Sequence, residues 1–190
     1  MEKKNVSAII LSGGKSSRMG TDKCDLEFGG ETLLNNQVNK MRSVGIEDII
    51  AAGYRGENCA AKVVHDDIMK GPLSGILVGL NEIVNDRAVV VSVDVPLLKA
   101  ESIKKMIDCS FENDVDACVI NHNGKMEQLI GIFKKSLVEN IKQILKEDNF
   151  CVMRLLDSCK YMEVKVDDSE DSFININYKD DYDKLLRINK

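Results

Sequence analysis

An α/β fold over a mostly parallel, twisted sheet is predicted by two observations. Short apolar runs alternate with amphipathic stretches along the chain, the pattern of successive βαβ units. The 190 residues, 44% hydrophobic and 30% charged, suffice for one full core of this class. With two prolines, no tryptophan and 5% aromatics, Val, Ile, Leu and Met must fill that core.

In chain order, Val6–Leu11 reads as the opening strand. Leu33, Leu34, Val38, Met41 and Val44 share one helical face, closed by Gly45. Asp48–Ala52 and Lys62–Val64 read as strands. Leu73, Ile76, Leu77, Leu80 and Ile83 mark a helix with Pro72 in its first turn, where a missing N–H costs nothing. Ala88–Val93, Val115–Ile120 and Leu129–Phe133 read as further strands. Ile103, Met106 and Ile107 place a helix between the first two, and Leu137, Ile141, Ile144 and Leu145 a helix after the third. Cys151–Leu156 reads as helical or extended, Tyr161–Val166 as a strand, Asp167–Asp171 as a solvated acidic loop, and Lys179–Ile188 as a closing charged helix. No linker rich in Pro, Gly or Ser interrupts residues 1–190, so a single domain is expected.

The net charge of −5 argues against a sequence-independent grip on nucleic acid. No apolar run approaches the length of a membrane span or a signal-peptide core, so no membrane partner and a cytoplasmic location are expected. The six cysteines (24, 59, 109, 118, 151, 159) form no C-x-x-C and read as buried reduced thiols. An anionic ligand therefore needs locally concentrated positive charge.

The segment Leu11–Lys23 provides it. Just beyond the first strand come Gly13, Gly14 and Gly20, the cations Lys15, Arg18 and Lys23, and hydroxyl side chains between them. Open α/β sheets bind ligands at that end of the strands, and backbone N–H groups around glycines converge on phosphate oxygens. A Walker A loop is excluded because position 9 is isoleucine where a glycine is required. A dinucleotide fingerprint is excluded because Gly13, Lys15 and Arg18 do not supply three glycines at its spacing. The bland alternative is a glycine turn followed by a solvated basic loop.

Leu-x-Gly-Gly-x-Ser-x-Arg-Met-Gly-x-Asp-Lys resembles the signature of the molybdenum cofactor guanylyltransferases. Gly71-Pro72-Leu73-Ser74-Gly75, Val93-Asp94-Val95-Pro96 and Phe173-Ile174-Asn175-Ile176-Asn177 resemble three further motifs of that family in the same order, so the resemblance spans essentially the whole chain. It implies a Rossmann-like three-layer sandwich of the nucleotidyltransferase type. It also implies transfer of GMP from GTP to molybdopterin or Mo-molybdopterin with release of pyrophosphate, Mg2+ as cofactor, and molybdenum cofactor delivery and insertion proteins as further partners.

Carried over by position, the resemblance has Leu11, Ser12, Gly13 and Gly14 lining the nucleotide, Lys23 reaching its phosphates, and Arg18 helping with the triphosphate. Fixed cations suit such a reaction, because charge builds on the phosphate oxygens as pyrophosphate leaves. Asp94, at the end of a strand, falls at the metal position; its bland reading is a turn residue before Pro96. Asp66, with Asp67 as its neighbour in register, is either the nucleotide-contacting aspartate or the acceptor of an Asx turn. A carboxylate can accept the two N–H bonds of the guanine edge. Asn175 and Asn177 alternate with isoleucines, so a strand would put both amides on one face, available to the acceptor. His65 and His122 read as neutral loop residues. The sequence departs from the family at Ala51-Ala52-Gly53, where an asparagine is usual, and at Tyr178-Lys179, in place of Thr-Pro. The rivals are a cytidylyltransferase of the same fold, whose relatives tend to read Leu-Ala-Ala-Gly, another nucleotidyltransferase of that fold acting on a sugar phosphate or isoprenoid precursor, and a non-catalytic nucleotide-binding module.

Overall fold

The computed structural model describes residues 4–13, 22–147 and 150–188. Gly14 and Arg18 lie outside the described residues. Strand β1 (Ser7–Leu11) is followed by a small hairpin, β2 (Glu27–Phe28) and β3 (Glu31–Thr32), and by helix α1 (Leu33–Ser43). Next come β4 (Ile49–Ala52), β5 (Lys62–Val64), α2 (Pro72–Glu82), β6 (Arg87–Ser92), α3 (Ala100–Glu112), β7 (Ala117–His122) and β8 (Lys125–Lys134). Helices α4 (Val138–Ile144) and α5 (Val152–Asp157), strand β9 (Tyr161–Val166) and helix α6 (Lys179–Ile188) complete the order.

The main sheet has seven strands in the order β5-β4-β1-β6-β8-β7-β9, all parallel except β8, which runs antiparallel to β6 and β7. Side-chain alternation then divides the core in two. Ala8, Ile10, Val89 and Val91 face α1, α3 and α6; Ile9, Leu11, Ala88 and Val90 face α2, α4 and α5. This is the predicted three-layer α/β sandwich. Each fully buried aliphatic side chain contributes about 1.5–3 kcal/mol toward it. No helix among the described residues is long and apolar enough to cross a membrane.

Two local readings change and one open alternative is decided. Val115–Ile120 and Leu129–Phe133 belong to one hairpin, because Asn123 (φ 50°) and Gly124 (φ 79°) make a two-residue turn that Asn121 Oδ1 closes on Gly124 N at 3.0 Å. Strand β8 therefore begins at Lys125, and its register with β7 jumps between Val119 and Ile120. Within the acidic stretch, Asp168 is held by Lys99 at 3.3 Å and by the Ser102 hydroxyl rather than solvated. Cys151–Leu156 resolves as helix α5.

Candidate active site

The carboxyl ends of β1, β4, β5 and β6 lie at one edge of the sheet, and the turns that follow them build the site. Beyond β1, Ser12 stays in register: its N and Oγ both donate to Ala52 O, at 2.9 and 3.0 Å. Gly13 lies against Gly53, where a Cβ would come within 2.7 Å of the Gly13 Cα. Across the sheet, Val93 N donates to Leu11 O at 3.1 Å and carries the turn bearing Asp94 up beside the first strand. Helix α2 fits under this floor because Gly75 leaves room for Leu11; a Cβ there would sit 3.0 Å from Leu11 Cδ2.

Lys23 starts a single 3-10 turn capped by Asp22, whose Oδ1 accepts from Cys24 N at 3.0 Å. The turn is tied down twice more: Cys24 Sγ donates to Ser12 O at 3.3 Å, and Tyr54 Oη donates to Asp25 Oδ1 at 2.8 Å. Burial, aided by Asp22, holds the Cys24 thiol well above its ordinary range, so it is a structural thiol rather than a nucleophile. From this base the Lys23 Nζ reaches Asp94 Oδ2 at 3.5 Å and donates to Asn177 Oδ1 at 2.8 Å. The two charged side chains, 71 positions apart in sequence, meet with 19% of each exposed.

The C-terminal asparagines separate. Residues 174–177 form no strand, contrary to expectation, and follow a short 3-10 turn at Glu170–Phe173. Ile176 N donates to Asp94 O at 2.9 Å, so this segment lies across the Asp94 turn. Asn177 is fixed from α6, where Asp181 Oδ2 accepts from Asn177 N and Tyr178 N at 3.0 and 2.9 Å. Asn175 instead donates to Phe173 O at 3.3 Å, within its own loop. His122 ends β7, is buried, and stacks on Phe173 with ring centroids 4.2 Å apart, so it is no loop residue.

Asp66 adjoins the Gly13–Gly53 contact, its Cβ lying 3.7 Å from where a Gly53 Cβ would be. Its Oδ1 accepts from Ile68 N and Met69 N, both at 3.1 Å, and its Oδ2 from Ser74 Oγ at 2.6 Å. The Asx turn is thus present, and it joins the loop after β5 to the start of α2. Asp67 points outward to Arg55 at 3.3 Å.

The MobA-like NTP transferase domain matches residues 8–162. The chain belongs to that family. A probable molybdenum cofactor guanylyltransferase of Carboxydothermus hydrogenoformans is 30% identical over 196 residues, covering 97% of this chain and 96% of its own. The solved molybdopterin-guanine dinucleotide biosynthesis protein A of Archaeoglobus fulgidus superposes with a TM-score of 0.79 at 20% identity, covering 96% and 98% of the two chains. A Mycobacterium tuberculosis protein solved in complex with manganese has the same fold, with a TM-score of 0.72 at 17% identity over 96% and 98% of the chains. The chain is accordingly a nucleotidyltransferase.

In this MobA-like protein the donor set fits a hard divalent ion. Asp94 Oδ1 is buried, with no hydrogen-bond partner among the described residues, and an acidic oxygen is the ligand such ions prefer. No cluster of three or more His, Cys, Asp or Glu side chains forms a metal cage among the described residues, so remaining ligands would come from nucleotide phosphates and water.

Sequence reasoning missed two residues beneath the Asp94 turn. Gln37 is 0% exposed in the centre of the apolar face of α1, and Lys40 Nζ donates to Pro96 O at 2.6 Å. The signal for Gln37 was available: a lone amide four residues from both Leu33 and Met41 interrupts an otherwise apolar stripe. Burial lowers the Lys40 ammonium to about 8. Above that pH, up to the ordinary lysine range, the unfolded chain holds a proton the folded chain has released, so stability rises with pH across this window. Lys40→Met removes that rise. The unfolding free energy of wild type relative to the variant is expected to grow by roughly 1–3 kcal/mol between pH 7 and pH 10. Denaturation at both pH values checks this, and a constant difference contradicts it.

Proposed function

We propose that the chain transfers GMP from GTP to the terminal phosphate of molybdopterin, or of Mo-molybdopterin, and releases pyrophosphate. The observation that carries this reading is the meeting of Lys23, Asp94 and Asn177 above the ends of β1 and β6. The name borne by the full-length relative supports guanosine as the nucleoside and molybdopterin as the acceptor.

An acceptor phosphate oxygen attacks the α-phosphorus in line, the bond from that phosphorus to the bridging oxygen breaks, and the electron pair leaves with pyrophosphate. The acceptor phosphate is already ionised near neutral pH, so positioning and charge compensation carry the rate without a general base. Lys23 lies against the triphosphate, and Asn177 Oδ1 holds its ammonium toward the site. Leu11, Ser12 and Gly13 line the nucleotide, with Gly14 and Arg18 acting from the segment between Gly13 and Asp22. Asp66 shapes the base side of the site through its turn. Asn175 remains on the acceptor side. Mg2+ held by Asp94 would neutralise phosphate charge as a Lewis acid.

The test is pyrophosphate release by purified protein given Mg2+, molybdopterin and each of GTP, CTP, ATP and UTP in turn. Release with GTP in preference to the others is expected. Preference for CTP would make the protein a cytidylyltransferase, and tight GTP binding with no release on a verified acceptor would make it a binding module.

A further inference from the structure

Asp94 sits at the third position of a four-residue turn, and the turn's own closing bond, Val95 N to Ser92 O, is long at 3.5 Å. Local backbone bonding therefore fixes the carboxylate weakly. Leu11 O and Ile176 N each hold the turn by one backbone bond, to Val93 N at 3.1 Å and to Asp94 O at 2.9 Å, and the side-chain reinforcement comes from α1. Gln37 Nε2 donates to Ser92 O at 3.3 Å and to Val95 O at 2.8 Å, so one amide grips both ends of the turn. One helical turn on, Lys40 Nζ donates to the next carbonyl, Pro96 O, at 2.6 Å. Two carbonyl neighbours leave the Gln37 amide no other orientation, because only its NH2 end can meet them. Its Oε1 is consequently left buried with no partner among the described residues. A wholly apolar side chain would pack this stripe without that penalty, beside Leu33, Leu34, Val38 and Met41.

We infer that Gln37 is the positioning residue for Asp94: its amide locks the 92–95 turn so that the carboxylate is presented to a metal–nucleotide complex in one geometry, with Lys40 as the second clamp. This inference rests on the reading of Asp94 as the metal-holding acid. Neither residue touches substrate; both act through the turn.

The test measures GTP affinity by equilibrium dialysis with and without Mn2+, no acceptor being present. Wild type is expected to bind GTP more tightly with Mn2+. In Gln37→Met, which keeps the volume and removes the donors, that metal-dependent gain is expected to fall by about tenfold, as when the supports of metal ligands are removed. Affinity for metal-free GTP should be unchanged and Tm equal to or above wild type, because the unpaired Oε1 is lost as well. A purely structural Gln37 would move Tm and leave the metal-dependent gain intact, which overturns the inference. Should Gln37→Met fail to fold, Lys40→Met decides, with an expected fall of about threefold; an undiminished gain there overturns the inference too. A wild type whose GTP affinity ignores Mn2+ would instead defeat the reading of Asp94 itself.

Discussion

Asp94→Asn is expected to lower metal-dependent turnover by about 10²–10³-fold while leaving the protein folded. The fold should survive because the structural bond at this position uses the backbone: Ile176 N donates to Asp94 O at 2.9 Å whatever the side chain. Activity should not survive, because the substitution removes the carboxylate charge and replaces one of its oxygens by an NH2 that can only donate. Lys23 keeps Asn177 as a partner at 2.8 Å, so its ammonium should stay near the site and metal-free GTP binding should fall little. The diagnostic pattern is a fall in kcat with a nearly unchanged affinity for metal-free GTP. Turnover at the wild-type rate would remove Asp94 from the mechanism.

Gly53→Ala is expected to destabilise the protein by about 3 kcal/mol or more and to weaken GTP binding in the molecules that remain folded. Gly53 has φ 87°, a conformation costly to any residue with a Cβ, and the new methyl would lie 2.7 Å from Gly13 Cα and 3.0 Å from Gly13 N. These are backbone atoms, so relief requires moving the phosphate-side turn itself. The expected loss in Tm is roughly 6–12 °C for a chain of this size. Gly45→Ala separates the two effects. Gly45 has nearly the same φ, 86°, but nothing lies within 4 Å of its would-be Cβ. It should cost about 1–2 kcal/mol and leave GTP affinity unchanged. Equal effects of the two variants on nucleotide binding would contradict the role given to the Gly13–Gly53 contact.

The elements legible in the sequence were those whose signal is local. Tyr161–Val166, Lys62–Val64 and Lys179–Ile188 match their predicted bounds because apolar period and flanking polarity mark both ends. The apolar run Leu129–Phe133 marks only the buried end of β8, so the sequence pattern did not show the β7–β8 hairpin, whose Asn123-Gly124 turn requires an antiparallel return. In the site, Asp94 stands just past β6, the parallel neighbour of β1, and Lys23 meets it from the separate 3-10 turn at Lys23–Asp25; the resemblance implied that the two serve one nucleotide, while the strand pattern alone gave no strand order. Nothing local predicts that Asn177 would bond Lys23 while Asn175 turns back to Phe173. Their alternation suggested a strand, but without a pairing partner the segment is shaped by its docking on Asp94 and α6. The stretch Ala51-Ala52-Gly53 lacks the asparagine the resemblance implies there, and at Gly53 itself the structure leaves no room for a side chain because Gly13 occupies the space.

We propose that Lys23 and Asp94 act on one nucleotide through one metal ion. The most direct measurement is a crystal structure of the protein with GTP and Mn2+, collected for manganese anomalous scattering. A single strong peak is expected beside Asp94 Oδ1, with the triphosphate running past it to Lys23 and the guanosine over Leu11, Ser12 and Gly13. A manganese peak away from Asp94, or GTP bound with its phosphates out of reach of Lys23, would contradict it.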